Sequence, residues 1–298
     1  MRSRIATVAS MIRPLNAFMT SVAVYVAVTV ALRHLTPPTP RLVAACVTAF
    51  TIAGFAMVVN DIYDIDVDRV NEPGRALPSG AISIRGAWVY ALILAVVGLG
   101  LAAYDGVIEL GLAGLSCALS ILYSKTLKLR GLSGNLAVSY NVALPFLYGG
   151  LVVNKLSIVL ATFFLLAFLS NTGREIIKGI AEAEGDALRS VRTLARVRGP
   201  RVAAKFGSAF SLIAVGLSPI PIFVGGLSPL GYLPVVFVTD ILFVYLSVKL
   251  LMDVSSAQSV KNSISSRCFW LWCPLSRAHS SSPLGGEDDS VHNSAGDE

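Results

Sequence analysis

Four aspartates fall within residues 60–68 of NDIYDIDVDRVNEPGRALPSG, a stretch that leaves a long apolar segment at Asn60 and ends at Gly80. On a helix, Asn60, Asp64 and Asp68 stand at i, i+4 and i+8. Each step of four drifts only ~40° around the axis, so the three share one face. Asp61 and Asp66 flank that face. Carboxylates massed in this way repel one another and need a cation. Hard oxygen ligands that leave room for retained waters suit Mg²⁺ shared with a phosphate group. The plainer alternative is a solvated acidic helix end. It is disfavoured because charge beside an apolar zone is costly and usually functional.

A second group lies in GREIIKGIAEAEGD, from Gly173 to Asp186. If its helix continues throughout, Glu175, Lys178, Glu182 and Asp186 project within an arc of roughly 80°. Glu182 and Asp186 form another i, i+4 acidic pair, with Glu184 nearby. An ordinary amphipathic helix with pairs such as Lys178–Glu182 is the alternative. Basic residues accompany both groups: Arg75 after the first, Lys125 and Lys128 beside Tyr123 and Ser124, and Arg174 and Lys178 within the second. Arginine binds phosphate oxygens as a fork and lysine as a point charge. Two facing acidic helix ends can clamp Mg²⁺ on either side of one polyphosphate. The chemistry this implies is loss of an allylic diphosphate from a lipid, with the departing charge stabilised where it develops.

The elements that must position these residues are membrane helices. The 298 residues are 54% hydrophobic and 14% charged, where a soluble domain carries about 25% charge. Mean hydropathy is +0.70. Eight stretches have the length and apolarity of spans: 14–33, 42–60, 86–104, 107–124, 134–153, 156–173, 202–225 and 229–252. A ninth, 264–276, is short and contains Arg267 and Pro274, with Trp270 and Trp272 suited to an interface. The expected fold is therefore all-α, a polytopic membrane helix bundle with a transmembrane domain over 1–276. A polar, acidic tail over 277–298 is expected to be disordered. Continuously apolar spans exclude a membrane β-barrel.

Placing the N-terminus in the cytoplasm puts 21 of the 24 basic residues on that side, leaving Arg33, Arg41 and Lys155 opposite. Both acidic groups and YSKTLK then lie on one membrane face. The chain is expected in the cell membrane as a multi-pass protein with that face cytoplasmic. The first apolar segment lacks a signal-peptide cleavage pattern and is expected to be retained. Cys46 and Cys117 lie in apolar segments, and Cys268 and Cys273 near the C-terminus.

NDIYDIDVD resembles the Asn-Asp-x-x-Asp-x-x-x-Asp motif of the UbiA superfamily of intramembrane prenyltransferases. AEAEGD stands in the place of that family's second acidic motif. NEPGRALPSG, YSKTLK and RPLN (Arg13, Pro14, Asn16) extend the resemblance, which covers about Arg13 to Leu251. It implies nine spans around a central cavity and a requirement for Mg²⁺. Asn60, Asp64, Asp68, Glu182 and Asp186 would hold Mg²⁺-diphosphate, with Glu182 in place of the family's usual Asp. Asp64, Asp68, Asp186 and Lys178 would carry catalysis. Asn16, Asn60, Asp61, Arg75, Tyr123, Lys125, Lys128 and Arg174 would contact substrates, and Arg174, Arg189 and Arg192 are candidates for an acceptor phosphate.

Within the superfamily, GREIIKGIAEAEGD resembles archaeal-type geranylgeranylglyceryl phosphate geranylgeranyltransferases, while NEPGRALPSGAIS also resembles chlorophyll synthases. The expected reaction is attack of the acceptor's glycerol hydroxyl on geranylgeranyl diphosphate. No His lies in the motifs, since His34, His279 and His292 are elsewhere. A carboxylate, the released diphosphate or water is left to take the proton. The expected partners are the prenyl diphosphate, the lipid phosphate and the membrane, with no nucleic acid and no obligate protein partner. Two alternatives stand: a related transferase with an aromatic or tetrapyrrole acceptor, and a transporter with a carboxylate ion site. Against the transporter, these charges sit at one face instead of the midplane.

Overall fold

The computed structural model describes residues 4–183, 191–224 and 227–271, and every regular element among them is helical. A short helix α1 (Arg4–Ala9) and a 3₁₀ turn (Ser10–Ile12) lead into α2 (Pro14–Leu32). Then come α3 (Pro40–Tyr63), α4 (Ile65–Asn71), α5 (Ile84–Asp105) and α6 (Val107–Lys125). A 3₁₀ turn (Leu127–Arg130) precedes α7 (Leu132–Val152) and α8 (Ile158–Ala181). The remaining helices are α9 (Leu194–Arg198), α10 (Pro200–Leu217), α11 (Ile220–Phe223), α12 (Pro229–Met252) and α13 (Ala257–Leu271).

Local chemistry sets the entries of the long helices. Pro40 follows Thr39, whose side chain accepts from Leu42 N–H at 3.2 Å. Ser83 and Ser157 cap α5 and α8 in the same way. Each supplies an acceptor to an amide that the helix itself leaves unpaired. Once capped, the helices pack through small residues, as expected where lipid offers no hydrophobic drive between them. Gly149 of α7 lies so close to α2 that a Cβ there would stand 2.7 Å from Val24 O and from Ala27 Cβ.

Seven helical stretches are long and apolar enough to cross a membrane. They match seven of the eight expected segments. The eighth, 134–153, forms α7, which has the length at 21 residues but is not among the seven. Asn135, Ser139, Asn141 and Pro145 dilute its apolarity. They do so from inside the bundle, where α7 packs on α2, α6 and α8 and where Asn135, Asn141 and Pro145 line a cavity. The ninth segment also differs. Asp253 accepts from Ser255 N–H at 2.9 Å and starts a turn, so α13 begins at Ala257 and not at 264. Its residues Ala257, Val260 and Ile264 are buried in a cluster with Ile177, Ala204 and Leu250. With 15 residues, and with Gln258, Lys261 and Asn262 among them, α13 is not among the seven. The expected tail, 277–298, lies outside the described residues, as do Glu184, Asp186 and Arg189.

Candidate active site

One cavity of about 900 Å³ runs down the bundle between α2, α3, α6, α7 and α8. Asn60, Asp64 and Asp68 line it on one side, and Arg174, Glu175, Lys178 and Glu182 on the other. The i, i+4, i+8 face survives a break in the helix. Asp64 itself separates α3 from α4 (φ −93°, ψ 3°). The amide of Asp64 still donates to Asn60 O at 3.0 Å, and that of Asp68 to Asp64 O at 2.8 Å. The three side chains therefore stay in register. Asn60 Nδ2 donates to Asp64 Oδ2 at 2.9 Å. Asp66 leaves the face and pairs with Arg69 in solvent.

Each carboxylate of the first motif meets a cation brought from elsewhere in the chain. Lys128 Nζ bonds Asp64 Oδ2 and reaches Asn60 Oδ1 at 3.5 Å. Gly131 and Gly134 allow that placement. Gly131 holds φ +62° against the carbonyl of Arg192, and a Cβ on Gly134 would lie 2.6 Å from Leu127 O. Arg75 Nη1 donates to Asp68 Oδ2 at 2.8 Å and lies 3.7 Å from Asp61 Oδ1. Buried Ala76 and Leu77 anchor its turn on the core. Burial alone would lower the Arg75 pKa. The hydrogen bond and charge of Asp68, with the charges of Asp61 and Glu72, outweigh it and raise the pKa above the ordinary arginine value.

Asp61 is buried and turned away from the cavity. It accepts from Arg13 at 3.3 Å. Arg13 takes a left-handed conformation (φ 45°, ψ 70°) immediately before Pro14, the first residue of α2. That sends its guanidinium to Asp61 and leaves Asn16 on the cavity wall.

Across the cavity, α8 stops at Ala181, so Glu182 is its C-cap and not a mid-helix residue. Lys178 lies 4.0 Å from Glu182 and 3.7 Å from Glu175. Lys261 of α13 donates to Glu182 at 3.2 Å, and Arg174 to Glu175 at 2.5 Å. Tyr123 is on the cavity wall. Lys125 is exposed at the end of α6 and is not part of that wall, and neither is exposed Arg192.

The sequence reading missed the polar ladder on α7. Asn171 donates to Ser139, and Asn141 to Ser120, both at 3.1 Å. Asn141 Oδ1 is buried without a hydrogen-bond partner among the described residues. Asn residues inside an apolar span were the available signal. A second cavity of about 590 Å³, more apolar, shares Asn16, Val142, Asn171 and Arg174 with the first.

Among the described residues no three acidic side chains are close enough to share one ion. That suits Mg²⁺, which usually takes one or two carboxylates and completes its shell with water and substrate phosphates. Asp64, Asp68 and Glu182 offer hard oxygens at the cavity's polar end. A lipid-sized cavity with this head, in a bundle of membrane helices, defines an intramembrane prenyltransferase.

The comparisons with known proteins agree. Residues 20–272 match the UbiA prenyltransferase family. The digeranylgeranylglyceryl phosphate synthase of Metallosphaera sedula is 34% identical over 223 residues, which are 74% of this chain and 76% of that protein. The synthase of the same name from Methanopyrus kandleri is 37% identical over 209 residues, 70% of this chain and 76% of that one. A solved structure described as digeranylgeranylglyceryl phosphate synthase in membranes superposes with a TM-score of 0.79 at 26% identity, covering 93% of this chain and 98% of that one. A UbiA homologue from Archaeoglobus fulgidus bound to GPP and Mg²⁺ shares the fold, with a TM-score of 0.66 at 16% identity over 93% of this chain and 100% of that one. The chain belongs to the UbiA prenyltransferase family.

Proposed function

We propose that this protein transfers a geranylgeranyl group from geranylgeranyl diphosphate to the free glycerol hydroxyl of geranylgeranylglyceryl phosphate. The product carries the second ether bond of the archaeal core lipid. The observation that carries this reading is the facing of Asp64 and Asp68 by Glu182 across one lipid-sized cavity, with a cation beside each carboxylate. The relatives named as synthases of that product support the choice of acceptor.

In this reading Asn60, Asp64, Asp68 and Glu182 hold Mg²⁺ with the diphosphate, joined by Asp186 from beyond the described residues. Bound there, Mg²⁺ would supply positive charge to offset that of the departing diphosphate. Lys128, Arg75 and Lys178 bind the diphosphate oxygens and stabilise the charge that develops there. The α8 end of the site orients the acceptor, with Arg174 and Asn16 lining both cavities. Two linked cavities suit a reaction between two lipids, and the second lies in the 300–1,000 Å³ range of ligand pockets. The acceptor oxygen bonds to C1 as the bond from C1 to the diphosphate oxygen breaks, and the hydroxyl proton passes to the released diphosphate. The Lys and Arg distribution supports a cytoplasmic N-terminus and a cytoplasmic site face.

The test is an acceptor panel with geranylgeranyl diphosphate, with and without Mg²⁺. Product from geranylgeranylglyceryl phosphate only when Mg²⁺ is present is expected. Product from an aromatic or tetrapyrrole acceptor, and none from the lipid phosphate, would reject the assignment.

A further inference from the structure

Below the carboxylates the cavity follows one face of α3. Asn60 gives way to Met57, Ala56, Ala53, Ile52, Ala49 and Thr48, a trough with three alanines that runs toward α7. What ends it is Tyr148. Its ring is buried with Val24, Ala45 and Val152, and Ala49 and Leu112 pack on the same cluster. Tyr148 also lines the cavity, so its ring forms part of the floor. The hydroxyl is tied down from beneath, donating to Asp105 Oδ2 at 2.9 Å. Asp105 is itself 2% exposed, and Arg41 bonds its backbone carbonyl and lies 4.0 Å from Glu109. A buried phenol held by a buried carboxylate cannot swing aside without leaving both groups unpaired in an apolar setting.

The depth of this floor matches a particular lipid. Thr48 lies sixteen residues before Asp64, or about 24 Å along the helix. An extended chain advances roughly 1.2 Å per backbone bond, so the 16-carbon main chain of a four-unit prenyl group, counted through its bond to the diphosphate oxygen, spans about 19 Å. That leaves about 5 Å for the diphosphate between C1 and the carboxylates. A fifth isoprene unit, with four more backbone bonds, would use the whole depth and leave no room for the head.

We propose that Tyr148, pinned by Asp105, is the specificity-determining floor that limits the donor to four isoprene units. The inference rests on the reading of Asp64, Asp68 and Glu182 as the diphosphate end. The experiment is a one-pot competition among C15, C20 and C25 all-trans prenyl diphosphates, with product chain lengths read by mass spectrometry. Product ratios report relative kcat/KM and are independent of how much enzyme is folded. Tyr148→Ala is expected to raise the C25-to-C20 ratio at least tenfold. Tyr148→Phe keeps the ring but frees it from Asp105, and should raise the ratio by less than Tyr148→Ala does. Ala49→Leu fills the trough above the floor and should shift preference toward C15, which tests the floor even if Tyr148→Ala does not fold. Unchanged ratios in Ala49→Leu and in a folded Tyr148→Ala would overturn the floor and leave the transferase reading intact. A wild-type chain that transfers none of the three donors would overturn both.

Discussion

Lys128 bonds Asp64 across 64 residues of sequence, tying the turn after α6 to the junction of α3 and α4. In the proposed function the pair places a positive charge beside the diphosphate, next to a carboxylate proposed to bind the metal. Lys128→Met should lower kcat/KM for prenyl transfer by about 100-fold or more, the scale seen when one preorganised charge-stabilising donor is lost. Steady-state kinetics over a range of donor concentration would show it. A change below threefold would remove Lys128 from the diphosphate site.

Gly131 makes that placement possible. Its φ of +62° and the 2.2 Å that would separate a Cβ from Arg192 O leave no space for a side chain. Gly131→Val is expected to lower kcat/KM toward the Lys128→Met level. The seven membrane-crossing stretches should stay folded, as judged by far-UV circular dichroism in detergent. Wild-type kinetics in this variant would show that the turn does not set the position of Lys128.

Arg75 gives a prediction in pH. Its folded pKa lies above the ordinary arginine value. A raised basic pKa contributes stability that is fully present below the unfolded value and lost only as pH rises through the folded one. Arg75 therefore stays charged, and its contribution constant, between pH 6 and pH 10. In Arg75→Lys the charge belongs to a group with an ordinary pKa of ~10.4. Relative to wild type, the variant should lose activity as pH rises through about 10. Parallel profiles for the two proteins would rule out a role for that charge in donor binding.

Lys261 reaches Glu182 from α13 and competes with any cation for that carboxylate. The pair is partly exposed, and such pairs contribute at most ~1 kcal/mol. Lys261→Ala should tighten the apparent Mg²⁺ requirement by up to about fivefold with kcat unchanged, measured by Mg²⁺ titration of the transfer rate. A weakened Mg²⁺ response would show that Lys261 positions Glu182 and does not compete for it.

What the sequence disclosed follows the range of the interaction. Asn60, Asp64 and Asp68 were legible because helical spacing alone aligns them, and the alignment survives the break at Asp64. Most spans were legible from apolarity. Segment 134–153 also forms a helix, but Asn135 and Asn141 turn its polarity inward and reduce its apolar signal. The end of α8 at Ala181 was not legible, because IAEAEGD offers no helix breaker before Gly185. Lys125 and Lys128 looked equivalent as neighbours in YSKTLK. The 3₁₀ turn at Leu127–Arg130 sends Lys128 into the cavity, while Lys125 stays exposed at the end of α6. Tyr148 and Asp105 meet across 43 residues, and Arg41 read only as a charge on the far side. Contacts of that kind depend on how the helices pack and leave no local pattern.

The central claim is that Asp64 and Glu182, on opposite walls, hold one Mg²⁺-diphosphate. The most direct measurement is a double-mutant cycle on binding of an unreactive geranylgeranyl thiodiphosphate, by calorimetry with and without Mg²⁺. Asp64→Asn and Glu182→Gln should each remove most of the affinity that Mg²⁺ adds, and the double variant should lose less than the sum of the two, by at least ~0.5 kcal/mol. Strictly additive losses, or Mg²⁺-dependent binding that survives both substitutions, would contradict the account.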